Sequence, residues 1–135
     1  MYKFRLKLIN CVLVTLLLPL AASGCARQSA AVDQAENVEM SYTLDPTAAR
    51  IGSAILVIKL TDEGGKPVEG AKLTFRGDMT HAGMSPVIAD FREVNPGEYL
   101  AEIEWTMAGA WILTIKGDLA DGRYFQRQID LEVSP

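Results

Sequence analysis

The side chains best equipped for chemistry gather in one short stretch, Met79-Thr80-His81-Ala82-Gly83-Met84. It holds two thioethers and the only histidine of the chain, between Gly77 and Pro86. Thioether sulfur is a soft ligand that selects Cu(I), and imidazole suits copper in either oxidation state. Met107, in a second segment outside the strand pattern, would supply another sulfur if the two segments meet at one end of the fold. Asp78 is a harder donor and fits Cu(I) less well. The pattern M-x-H-x-x-M also has a plain packing reading, because methionine fills irregular gaps in cores and His81 would then simply face water. The metal reading takes Met79, His81, Met84 and Met107 as ligands of a weakly held Cu(I). With no second histidine, a tight Zn(II) or Cu(II) site is not expected.

Other reactive constellations are thin, and no enzyme is expected. A lone histidine leaves no His–His pair for copper-dependent oxygen chemistry. Ser53 and Ser85 lack the nucleophile-elbow sequence that a serine triad would need. Glu102 and Glu104 sit two apart on one strand face, where a paired-carboxylate couple is conceivable, but charges there ordinarily solvate the outside of a sheet. There is no glycine-rich phosphate loop and no basic–aromatic stripe for nucleic acid.

The elements that must hold these residues are strands. Tyr99, Ala101, Ile103 and Trp105 alternate with outward Glu102 and Glu104, and Trp111, Leu113 and Ile115 repeat the pattern beyond Met107-Ala108-Gly109-Ala110. Alternation of period two marks half-buried strands, and two inward tryptophans make this pair the centre of a core. Whether that connection closes a hairpin or crosses between sheets is open at this level. Earlier come Val38, Met40, Tyr42 and Leu44, ending at Asp45-Pro46, and then 52–60, GSAILVIKL, an apolar run that reads as covered on both sides. Ala71, Leu73 and Phe75 form a third strand, Val87, Ala89 and Phe91 a fourth, and Phe125, Ile129, Leu131 and Val133 the last. Arg127 interrupts that final apolar face and is expected near an edge. Turn sequences such as Asp62-Glu63-Gly64-Gly65-Lys66-Pro67 separate the runs. About seven short strands at roughly 10-residue spacing, with no helical period, specify an all-β, antiparallel immunoglobulin-like β-sandwich. There is no Cys–Trp–Cys spacing of the antibody kind.

The chain starts with a leader. Lys3, Arg5 and Lys7 precede the apolar run 8–20, and Ala21-Ala22-Ser23-Gly24 follows, which is the pattern of a secretory signal over 1–24. The apolar run is too short to span a bilayer core of about 30 Å. Leu20-Ala21-Ala22-Ser23-Gly24-Cys25 resembles the lipobox of bacterial lipoproteins, in which the cysteine is lipidated and becomes the first residue. Cys11 leaves with the leader and Cys25 takes the lipid, so no disulfide is expected. Residues 25–37 then read as a lipidated cysteine and flexible tether, and 38–135 as the folded domain. The leader holds three of the 13 basic residues and none of the 17 acids, so the mature chain has ten against 17, a net charge of −7. That sign disfavours nucleic acid and anionic lipid. The expected address is the cell envelope, lipid-anchored and facing the periplasm. Arg27 in place of the aspartate associated with inner-membrane retention points to the outer membrane.

The run from Gly52 through Gly117 resembles the YtkA-like/FixH family of small exported domains. The resemblance lies in Lys66-Pro67-Val68 followed by Gly70-Ala71, in the Met/His loop, in Pro96-Gly97-Glu98-Tyr99 and in Met107-Ala108-Gly109-Ala110-Trp111. It implies an immunoglobulin-like sandwich and a copper-related role, with a copper-dependent or efflux membrane complex as partner. The alternative is an interaction module that docks on such a complex and binds no metal.

Overall fold

The computed structural model describes residues 35–81 and 83–135. The expected leader, Cys25 and the expected tether as far as residue 34 lie outside the described residues. Eight strands run in order: β1 (Val38–Asp45), β2 (Gly52–Asp62), β3 (Lys72–Met79), β4 (Val87–Asp90), β5 (Arg92–Asn95), β6 (Glu98–Trp105), β7 (Gly109–Asp118) and β8 (Tyr124–Val133). They form two four-stranded sheets, β1-β2-β6-β5 and β4-β3-β7-β8, with antiparallel neighbours throughout. The inward residues of both sheets make one core, so the chain is the β-sandwich its alternation specifies.

The connection left open by the sequence crosses between sheets, because β6 and β7 belong to different layers. Trp105 and Trp111 therefore meet across the core, edge to face, with centroids 5.4 Å apart at 68°, and Phe75 meets Trp105 at 6.2 Å and 79°. Edge-to-face pairs of this kind add about 0.5–1.5 kcal/mol beyond the area they bury.

Three details differ from the sequence reading. There are eight strands rather than seven, because the run around Val87–Phe91 changes sheets. β4 pairs with β3, the Phe91 N–H donates to the Leu73 carbonyl at 3.1 Å, and β5 then pairs with β6 in the other layer. Alternation continues through such a switch, so the periodicity hides it. Secondly, β2 is not covered on both sides. Ala54, Leu56, Ile58 and Leu60 are buried, but Ser53 and Lys59 are exposed and Ile55 is 38% exposed, since in a two-layer architecture only one face of the strand meets the core. Thirdly, the fold begins before Val38. Ala35 is fully buried and its carbonyl accepts from the Val38 N–H at 3.0 Å, so 35–37 belong to the domain and not to a tether. A single methyl group carries that packing, too small a signal to show in composition.

Arg127 sits on edge strand β8, as its position in the pattern suggests. Its guanidinium lies over the Phe125 ring at 5.5 Å and donates to the carbonyls of Ala35 and Val38, closing the lateral seam between the sheets. The end of the sandwich where β1 starts is tied by polar groups. The Tyr99 hydroxyl donates to the Val68 carbonyl at 2.7 Å and accepts from the Ala71 N–H at 3.1 Å. The Glu93 carboxylate accepts from the N–H groups of Gly70 and Gly97, both at 3.0 Å, and these bonds hold its pKa below the ordinary carboxylate value. Gly97 has φ +69°, and a Cβ there would lie 2.8 Å from the Leu60 carbonyl oxygen, so only glycine fits.

Candidate metal centre

At the opposite end lie the 80–86 loop and the 106–108 connection. β3 runs out at Met79, which pairs with Trp111 of β7, and the next N–H, of Thr80, donates to the Ala110 carbonyl at 3.2 Å. The ladder thus delivers the Met/His loop directly beside the start of β7. The connection is fixed by the Trp111 indole N–H, which donates to the Met107 carbonyl at 3.1 Å. Gly109 follows with φ +128°, and a Cβ on it would sit 3.2 Å from the Met79 methyl carbon. Met79 and the Met107–Gly109 backbone therefore share one corner.

Exposure divides the four candidate ligands. Met84 is 38% and Met107 44% exposed, and His81 is open to water, whereas Met79 is half-buried and packs against the core. Met79 carries the packing role that the alternative reading assigns to such methionines, while the other three side chains are exposed. Asp78 is engaged by Arg76 through two bonds of 2.7 Å, which removes it from the donor set. Among the described residues no three His, Cys, Asp or Glu side chains cluster, so the donors this end offers are soft sulfurs and one imidazole.

One feature of this end had no signal in the sequence. The Trp105 indole N–H is buried without a hydrogen-bond partner among the described residues. It lies two residues before Met107, and only the folded geometry shows that Trp111 finds a carbonyl while Trp105 does not.

A family model described as YtkA-like matches residues 33–116, more than half of the chain. The chain belongs to the YtkA-like family. The match starts at residue 33, which agrees with a fold that includes Ala35. Among curated proteins, none matches the chain significantly. Among solved structures, a DUF4426 family protein from Pseudomonas aeruginosa PAO1 is 17% identical, with 74% of this chain and 93% of that one covered and a TM-score of 0.58. CopC from Methylosinus trichosporium OB3b is 14% identical over 73% of this chain and 94% of its own, at a TM-score of 0.49. The PmoD soluble domain from Methylocystis sp. ATCC 49242 (Rockwell) is 10% identical over 72% and 90%, at 0.48. At such identities the likeness is one of fold, and the first of the three carries it.

Proposed function

We propose that this YtkA-like domain is a copper-handling accessory that would hold Cu(I) weakly through Met79, His81 and Met84, with Met107 as a fourth ligand. The observation that supports this most is convergence: the 80–86 loop and the 106–108 connection, far apart in sequence, lie at one end of the sandwich. Had Met107 and His81 fallen at opposite ends, a metal-free interaction module would be the better reading. Uncharged sulfur favours the reduced ion and releases it readily, which suits delivery rather than catalysis. The domain acts as a binding protein and not an enzyme. In this reading Cys25 is lipidated and anchors the domain to a membrane of the cell envelope, the outer one where there are two. Its customer is a copper-dependent or efflux membrane complex.

Methionine methyl resonances test the site directly. On adding Cu(I) anaerobically to the full chain, the methyls of Met84, Met107 and Met79 are expected to shift, and that of Met40, on β1, to stay. Shifts of all four alike, or of none, would remove the site and leave the interaction module.

A further inference from the structure

The two sheets end in the edge strands β1, β5, β4 and β8. β4 and β5 are each four residues long, and β8 carries Arg127, Asp130 and Glu132. Short strands and charged side chains keep an edge from pairing. The middle of β1 has neither guard: Met40-Ser41-Tyr42-Thr43-Leu44 is uncharged and free of proline. Hydrogen bonds fix which of its residues face the open side. Leu60, opposite Met40, donates its N–H to the Gly97 carbonyl, and its own carbonyl accepts from the Val68 N–H, so neither group turns to β1. Met40 and Leu60 are therefore a non-hydrogen-bonded pair, and Met40 points its N–H and C=O away from β2. Val38 is in the same phase, bonded to the Ala35 carbonyl and the Arg127 guanidinium. Tyr42 and Leu44 follow by alternation. Among the described residues nothing meets the N–H and C=O groups of Met40, Tyr42 and Leu44 on that side.

We infer that the free edge of β1 takes an extended, basic-ended segment of a partner polypeptide, paired antiparallel as a fifth strand of this sheet. Backbone is the group that satisfies an open row of N–H and C=O groups. Segment residues opposite Met40, Tyr42 and Leu44 would point inward, on the side of Tyr42, 43% exposed, and of half-buried Ile129 and Leu131 on β8. Those positions suit aliphatic side chains. The alternate ones face outward, polar beside Ser41 and Thr43 and basic opposite the exposed Glu39 and Asp45. A second copy of the chain fits less well. The antiparallel self-pairing that uses Met40, Tyr42 and Leu44 together is centred on Tyr42, and it sets Glu39 against the second copy's Asp45. None of these residues is a candidate copper ligand, so strand addition does not depend on the copper reading.

The test uses the metal-free full chain and a fluorescein-labelled peptide of sequence KVTVTVK, with fluorescence anisotropy as readout and backbone amide shifts as a map. Saturable binding is expected, with the largest shifts at Met40, Tyr42 and Leu44, whose N–H groups gain acceptors. The exposed double variant Glu39→Lys/Asp45→Lys should bind this peptide about tenfold more weakly and prefer EVTVTVE, a reversal that misfolding cannot produce. N-methylation of the peptide's valines should abolish binding, because their N–H groups face β1, whereas methylation of its threonines should leave binding intact. No saturation, equal binding of the two methylated peptides, an unreversed charge preference, or shifts away from 39–45 would each overturn the proposal. So would a dimer that forms through β1 without peptide. Failure here leaves the copper site standing, and loss of the copper site leaves this edge standing.

Discussion

Trp105 and Trp111 are each 1% exposed, yet among the described residues only Trp111 has a partner for its indole N–H, the Met107 carbonyl. Changing either to Phe removes similar volume, so the difference between the two variants isolates the hydrogen bond. Trp111→Phe should cost about 1 kcal/mol more than Trp105→Phe in chemical denaturation, and a larger loss for Trp105→Phe would contradict the geometry. Glu93 gives a second residue-scale test. Its lowered pKa means its contribution is present above the ordinary carboxylate value and vanishes as pH falls through the lower folded value. Glu93→Gln should therefore be less stable than wild type at neutral pH, by about 1 kcal/mol given its exposure, with the gap closing in acid. That both tryptophans are core residues was legible from alternation alone. Which indole is satisfied was not, because it depends on a carbonyl four residues away in a crossing connection.

The 106–108 connection and the β4–β5 switch decide the shape of the molecule, and neither is written in the periodicity. A strand that stays in its sheet and one that leaves it alternate in the same way. Tyr99 to Trp105 and Trp111 to Ile115 were readable as inward faces, while their membership of opposite layers was not. At Gly109 the connection needs φ +128°, and an added Cβ would crowd the Met79 methyl carbon at 3.2 Å. Gly109→Ala should destabilise the domain by about 1–3 kcal/mol and displace Met79, seen as a changed methionine methyl shift without metal. A stable variant with an unmoved Met79 would show that this corner is looser than described.

The whole molecule is polar in arrangement. Ala35 enters beside the start of β1, where Val38 pairs with Asp62, whereas the Met/His loop follows the end of β3, beside the start of β7. β1, eight residues long, separates the two ends by about 26 Å at the usual strand rise. With a lipid on Cys25, the candidate ligands would face away from the anchoring membrane. A Met84→Cys variant on the lipidated chain in vesicles should react with a bulky maleimide as fast as in detergent, and an Asn37→Cys variant more slowly. Equal slowing of both would contradict that orientation. The YtkA-like family and the sandwich were legible from spaced motifs such as Lys66-Pro67-Val68 and Met107-Ala108-Gly109-Ala110-Trp111, whereas the meeting of the two methionine-bearing segments needed the β3–β7 register. The central claim is that this meeting point holds Cu(I), and an anaerobic competition titration against a Cu(I) chelator tests it most directly. The full chain should withdraw one equivalent of copper, and the variant with Met79, His81 and Met84 all changed to Ala should withdraw essentially none. If the two compete equally for the metal, the site does not exist.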